Sequence, residues 1–202
     1  MPSRPTHFEI PGSPRLRHEM AAPEGARLNL GPTDGLEDAA HARKRHIEPI
    51  RQMVRVRGAP LRAFKLFTEQ MGTWWPVDEY SRAVSEFEDD DVRVERLEFQ
   101  ARMGGSVLEH ISDGRIVPWA EVIAWHPPHG VLMAWHPHSK PEPPTEVEVT
   151  FTARGSDTLV ELEHRGWGRL SEDFREGLHE IYARGWITTL GCFVAGADRD
   201  IS

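Results

Sequence analysis

The feature that most constrains the fold is a long amphipathic segment near the C-terminus. Ser171 can cap a helix there, and Glu172 and Asp173 in its first turn suit the positive end of the helix dipole. The helix is predicted to run to about Ala195, and its apolar side chains recur at three- and four-residue steps: Phe174, Leu178, Ile181, Tyr182, Trp186, Leu190, Phe193 and Val194. A stripe roughly five turns long must be buried, and a sheet is the only other structure in the chain broad enough to cover it.

Segments with the character of strands precede this helix. They are separated by turn-forming residues such as Gly104-Gly105, Asp113-Gly114 and Gly155-Ser156, which favour short hairpins and therefore an antiparallel meander. In the segment TEVEVTFTA, apolar and polar residues alternate, which is typical of a sheet with one buried face. The predicted strands are 92–101, 105–112, 115–125, 131–136, 145–153 and 157–165.

One further strand and a helix begin the folded part of the chain. The run IRQMVRVRG from Ile50 alternates apolar and polar residues up to Gly58, and Pro60 suits the first turn of a helix. The helix is predicted to bury Leu61, Phe64, Phe67 and Met71 on one stripe before Gly72 and the sequence TWWP. We therefore predict an α+β fold: a curved antiparallel sheet of about seven strands around a long C-terminal helix, with two short helices after the first strand.

Composition separates a tail from this domain. Residues 1–46 are rich in Pro, Gly and charged residues and lack periodicity, so we predict a disordered tail before a domain over 47–202. The tail carries seven basic and six acidic side chains, a net charge of +1, so the domain has a net charge of −9 and the whole chain −8. A negative domain argues against binding to nucleic acid or to an anionic membrane. Without an apolar run of about 20 residues or a secretion signal, and with Cys192 as its single cysteine, the chain is expected in the cytoplasm.

Several motifs in order give the domain a family resemblance. They are APLRAFKLFTE, TWWP, MGGSVLEHISDGR, WAEVIAWHPPHGVLMAWHP, TEVEVTFTARGSDTLVELEHRGWG and GLHEIYARGWITTLGCFVAG. The chain resembles the SRPBCC (START-like) superfamily, and within it the family named for the activator of heat-shock protein 90 ATPase. The resemblance implies a helix-grip fold over roughly residues 50–196. It leaves function open, because such proteins include chaperone co-factors and small-ligand carriers.

Seven tryptophans are the most informative side chains for function. Each buries about 150–250 Å², and a curved sheet closed by a straight helix leaves a gap in the range of about 300–1,000 Å³ that ligand sites occupy. The alternative is that they only fill the core. The predicted ligand-binding residues are Trp75, Trp119, Trp135, Phe151, Tyr182, Trp186 and Leu190, with Glu121 and His164 as polar anchors because each shares the parity of apolar neighbours on its strand. A rim position is the alternative for both polar residues.

Motifs for catalysis or metal binding are weak. His126, His129, His136 and His138 could present imidazoles from adjacent loops, but the Pro-rich context favours exposed histidines over a metal site. No nucleophile elbow, zinc-protease or phosphate-loop motif stands in a supporting context, and Cys192 is better explained by helix packing. We therefore expect no catalytic residues, no metal and no cofactor.

Three function hypotheses remain open. The first is a cytoplasmic domain that binds a small hydrophobic or amphipathic molecule between the sheet and the last helix. The second is a protein-interaction module, in which the acidic loop 86–91 and the outer sheet face engage a chaperone. The third is an enzyme with few signature residues, of the kind that START-like domains sometimes host.

Overall fold

One antiparallel sheet forms the body of the molecule. A computed structural model describes residues 47–81, 92–136 and 143–199. In these ranges seven strands pair in the order β1-β7-β6-β5-β4-β3-β2. Strands β2 to β7 form a meander, and β1 pairs with β7 at one edge of it. The strands are β1 (Ile50–Arg57), β2 (Val94–Phe99), β3 (Ser106–Ile111), β4 (Ile116–His126), β5 (Gly130–Trp135), β6 (Thr145–Arg154) and β7 (Asp157–Arg165).

Two short helices follow β1, as predicted. Helix α1 spans Pro60–Phe67 and helix α2 spans Val77–Tyr80, with a single 3-10 turn at Met71–Thr73 between them. The prediction that Leu61 is buried was wrong, since its side chain is 50% exposed. The buried residues of α1 are Ala63, Phe64, Leu66 and Phe67. The centre of the buried face therefore lies nearer to Ala63 and Leu66 than predicted, which leaves Leu61 on the solvent side.

The long helix α3 spans Glu172–Arg199 and lies along the inner face of the sheet. Its Trp186, Leu190 and Phe193 are almost fully buried in the core, as the stripe predicted. Ile181 is 38% exposed, because it lies at the margin of that stripe and not on it. The helix grips the concave side of the sheet and confirms the helix-grip prediction.

Strand β4 contains two irregularities that decide which side chains face inward. Its register with β3 shifts between Val107 and Leu108, which leaves Trp119 as an extra residue. Its register with β5 shifts between Val122 and Ala124, which leaves Ile123 as an extra residue. Each such bulge reverses the in–out alternation of the residues that follow it.

Some sequence predictions lie outside the described residues. These are the disordered tail over 1–46, the acidic loop 86–91 and the side chain of Phe174. Across the ranges that the structure describes, no helix has the length and apolar character required to cross a bilayer.

Candidate functional site

Four tryptophans meet between the sheet and α3. Trp119 comes from β4, Trp135 from β5, Trp186 from α3, and Trp75 from the connection before α2. The ring centroid of Trp75 lies 4.9 Å from that of Trp119, 6.1 Å from that of Trp135 and 5.9 Å from that of Trp186. Trp135 lies 5.9 Å from Trp119 and 5.4 Å from Trp186. We call these four residues the Trp cluster.

The connection from Met71 to Tyr80 supplies Trp75 and spans from the sheet to α3. Trp74 anchors it: its indole N–H donates to the carbonyl of Leu66 at 2.7 Å, and a Cβ on Gly196 of α3 would lie only 2.9 Å from the Trp74 Cβ. The Tyr80 ring lies over Gly185, where a Cβ would meet it at 3.4 Å. The two adjacent tryptophans thus have different roles, because Trp74 packs in the core and Trp75 enters the cluster.

His164 is a buried polar residue next to Trp186 of the cluster. It is completely buried on β7, and its Nδ1 accepts a hydrogen bond from the indole N–H of Trp186 at 3.1 Å. Because an indole nitrogen only donates, the proton of the neutral imidazole must be on Nε2, which lies 2.8 Å from Thr145 Oγ1. The Thr145 hydroxyl in turn donates to the carbonyl of Trp135 at 3.2 Å, and the Trp135 indole donates to the hydroxyl of Tyr182 at 3.1 Å.

Burial keeps this histidine neutral. The pKa of His164 is lowered from 6.5 to about 3, mainly by desolvation and to a smaller extent by the charge of the nearby His179. A proton on Nδ1 would also point at the N–H of Trp186 and break that hydrogen bond. His164 therefore acts as a fixed acceptor and donor, and it brings no positive charge to the cluster at neutral pH.

The indole N–H groups divide the Trp cluster into two halves. Trp135 and Trp186 donate to Tyr182 and His164, respectively. Trp75 and Trp119 are buried, yet their Nε1 atoms have no hydrogen-bond partner among the described residues. A buried donor without an acceptor costs about 1–3 kcal/mol, so this half has capacity for a polar atom that the described residues do not provide.

The structure brings most of the predicted site residues together. Trp75, Trp119, Trp135, Trp186, His164 and Tyr182 form one contiguous aromatic group. Phe151 faces inward but packs elsewhere, with ring centroids 5.4 Å from Phe64 and 5.9 Å from Phe67. Leu190 is buried in the general core.

The prediction that Glu121 faces inward was wrong. Glu121 is exposed although Trp119, two residues before it, is buried. The bulge at Trp119 reverses the alternation, so Ala120 and Val122 point into the core and Glu121 points out. Simple parity along the strand does not hold across such an insertion.

Some buried polar residues of the inner face escaped the sequence analysis, among them Glu109 and Thr145. Glu109 on β3 and Thr145 on β6 are completely buried. In the sequence VLEHI, Glu109 alternates with Val107 and Ile111 and therefore lies on the same face of β3 as these two apolar residues. Thr145 likewise lies on the same face of β6 as Val147. These alternations could have indicated that both residues are buried. Glu109 is paired with Val117 of β4, two residues from Trp119.

Four histidines were considered for a metal site. His126 and His129 are exposed at the β4–β5 turn, and His138 lies outside the described residues. Within the part of the chain that the structure describes, no three His, Cys, Asp or Glu side chains gather in a way that would hold a metal ion.

Solved structures share this architecture. Protein MLL2253 from Mesorhizobium loti is 15% identical with a TM-score of 0.54, over 75% of this chain and 98% of that one. The anthrahydroquino-gamma-pyrone synthase Txn09, solved as a complex, is 26% identical with a TM-score of 0.50, over 75% and 98% of the two chains. CalC, a self-sacrificing resistance protein from Micromonospora echinospora, is 22% identical with a TM-score of 0.50, over 75% and 95%.

The family comparison agrees with the fold. No curated protein sequence matches the chain at a significant level. The family model for activator of Hsp90 ATPase homolog 1-like proteins matches residues 60–186, which covers α1, the Trp cluster and the first half of α3. The chain belongs to this family of activator of Hsp90 ATPase homolog 1-like proteins, with the SRPBCC helix-grip fold.

Proposed function

We propose that this protein binds a small, mainly apolar, ring-containing molecule between the sheet and α3, at the Trp cluster. The observation that carries the proposal is the convergence of four indoles from four separate elements on one point of the inner face. Aromatic side chains bind flat ligands through large apolar contacts and edge-to-face ring geometry. The single Cys192 favours a reducing compartment, so we assign this function to the cytoplasm.

Trp75 is the side chain that admits the ligand in this proposal. It is supplied by an irregular connection, whereas Trp119, Trp135 and Trp186 are held by strands and the long helix. Its indole makes no hydrogen bond to a described residue, so that its displacement breaks none. The Trp75 ring moves aside to let the ligand in and then covers it, so that the ligand lies between Trp75 and the other three indoles.

Similarity to a known protein supports a ring-containing ligand. Txn09, which is 26% identical over 98% of its own length, is a synthase whose product name describes fused oxygenated rings. A related interior in this chain would accept molecules of similar flatness. We extend only the shape of the ligand from that protein to this one.

The test is a binding titration of the full chain with a panel of two- and three-ring aromatic compounds, followed by calorimetry. We expect saturable one-to-one binding that weakens about tenfold in Trp75→Ala, since a lost ring contact costs on the order of 1 kcal/mol. Trp125→Ala is the matched control, because Trp125 packs against Phe64 and Phe99 outside the cluster, and its affinity should match the wild type. Equal losses in both variants would contradict the proposed location.

The same experiment separates the competing functions. Formation of a new product from a bound compound, lost in Glu109→Gln, would favour an enzyme, for which the buried Glu109 carboxylate, on β3 opposite Val117, is the candidate proton carrier. Absence of binding across the panel, together with stimulation of an Hsp90 ATPase by the full chain, would favour the co-chaperone role that the family description names.

A further inference from the structure

The indole N–H groups of Trp75 and Trp119 point to the chemical class of the ligand. We propose that they donate hydrogen bonds to oxygen atoms on the edge of the bound molecule, which is therefore a flat ring system with ketone or quinone carbonyls. This inference rests on the proposed function and deepens it. A purely hydrocarbon ligand would fit the rings but would leave both donors unpaired.

The contrast with the other buried tryptophans supports a specific role for these two donors. Six tryptophans are buried in the described ranges. Trp74 donates to the Leu66 carbonyl, Trp167 to the His164 carbonyl, Trp135 to Tyr182 and Trp186 to His164. The remaining two, Trp75 and Trp119, are neighbours with ring centroids 4.9 Å apart.

Unpaired buried donors are rare in folded proteins, and each needs an explanation. Two of the three unpaired side-chain donors buried among the described residues, the Nε1 atoms of Trp75 and Trp119, fall in the same half of one cluster. The third, Nε of Arg175, belongs to a guanidinium group that pairs with Glu172. The other half is held by hydrogen bonds to Tyr182 and His164, whose bonded atoms are already engaged. Since no described residue supplies an acceptor to Trp75 or Trp119, we assign that role to the ligand.

The donor type also selects against other ligands. Indole faces attract cations, so an aromatic cluster alone would be compatible with an ammonium compound. An ammonium group has only donors, however, and it cannot pair with an indole N–H. A carbonyl oxygen offers two lone pairs and can accept from one or both indoles.

The test compares two probes of nearly the same shape, 2-acetylnaphthalene and 2-isopropylnaphthalene, on the full chain by calorimetry. The carbonyl probe is expected to bind at least about fivefold more tightly, which corresponds to one net hydrogen bond. In nitrogen-15 NMR spectra, the indole proton resonances of Trp75 and Trp119 should move downfield with the carbonyl probe only. This readout uses the unmodified protein and does not depend on the folding of a variant.

Variants then assign the preference to the two donors. In Trp75→Phe and Trp119→Phe the ratio of the two affinities should fall toward one, whereas Trp125→Phe should retain it. Equal binding of both probes to the wild type, without shifts of these two resonances, would overturn the inference and leave the proposed function standing. Failure of both probes to bind would overturn the two together.

Discussion

At the scale of single residues, His164 shows how the fold uses a polar group inside an aromatic core. Each ring nitrogen has one partner, the donor Trp186 on Nδ1 and the hydroxyl of Thr145 on Nε2. These partners fix both the tautomer and the orientation of the imidazole. The residue therefore stabilises the position of Trp186 as well as filling space.

The state of His164 predicts a pH dependence of stability. Its pKa is about 3 in the folded chain and close to 6.5 when unfolded, so between these values the unfolded state binds the additional proton. The contribution of neutral His164 to the free energy of unfolding is fully present above about pH 6.5. Below that pH it decreases by up to about 1.4 kcal/mol per pH unit. Urea unfolding should show wild type more stable than His164→Phe at pH 7.5, with a gap that narrows toward pH 4.

Leu162, a buried residue of the same strand without a titratable group, provides the control for this measurement. The difference between wild type and Leu162→Ala should change less over the same pH range than the difference for His164→Phe. A gap for His164→Phe that does not change with pH would show that the imidazole titrates alike in both states and would contradict its assignment as a buried neutral group.

Residue parity predicted the site only where the strands are regular. The inward position of His164 could be predicted from Val160 and Leu162, because β7 pairs without register shifts on either side. The outward position of Glu121 could not be predicted, because the two bulges of β4 depend on pairing with β3 and β5. A single sequence carries no direct signal of such pairing.

At the scale of elements, close contact between α3 and the connection after α1 defines the site. Gly196 allows the helix to approach Trp74, which sets the position of the adjacent Trp75. The long stripe of α3 predicted this helix and its burial, but not the glycine contact, because a glycine within a helix has no preferred partner in sequence. Its significance appears only with the facing tryptophan in place.

Two glycines of α3 give a matched pair of substitutions. Gly196→Ala places a methyl group 2.9 Å from the Trp74 Cβ and should destabilise the protein by about 1–3 kcal/mol. Gly191→Ala meets no atom within 4 Å outside its own helix and should stabilise it by about 0.5–1 kcal/mol through helix propensity. Thermal unfolding of both variants measures the signs, and destabilisation of equal size in both would contradict the proposed contact.

At the scale of the whole molecule, the elements at the start of the domain pack against those at its end. Strand β1 pairs with β7 along its whole length, and the side chain of Arg62 at the start of α1 donates to the carbonyl of Ala197 near the end of α3 at 2.5 Å. The sequence predicted all seven strands and their order along the chain. The position of β1 beside β7 was not predicted, since an edge strand can join either side of a meander.

This closure predicts where the chain can be shortened. A protein beginning at Ile47 should unfold at the same urea concentration as the full chain, because the described contacts begin there, including the bond between His179 and the carbonyl of Glu48 at 3.0 Å. Removal through Gly58 should abolish cooperative unfolding, since it exposes the edge of β7 and one side of the core. A lower midpoint for the first truncation would show that residues 1–46 contribute to folding stability.

The closeness of the four indoles also has an optical consequence. At centroid separations of 4.9 to 6.1 Å, the electronic transitions of neighbouring rings couple, and excitation passes among them faster than any one ring emits. The near-ultraviolet circular dichroism should therefore contain paired bands of opposite sign, and the emission of the cluster should behave as that of one chromophore. A molecule that contacts only Trp75 would then change the light emitted from Trp186, so the protein carries its own reporter of occupancy.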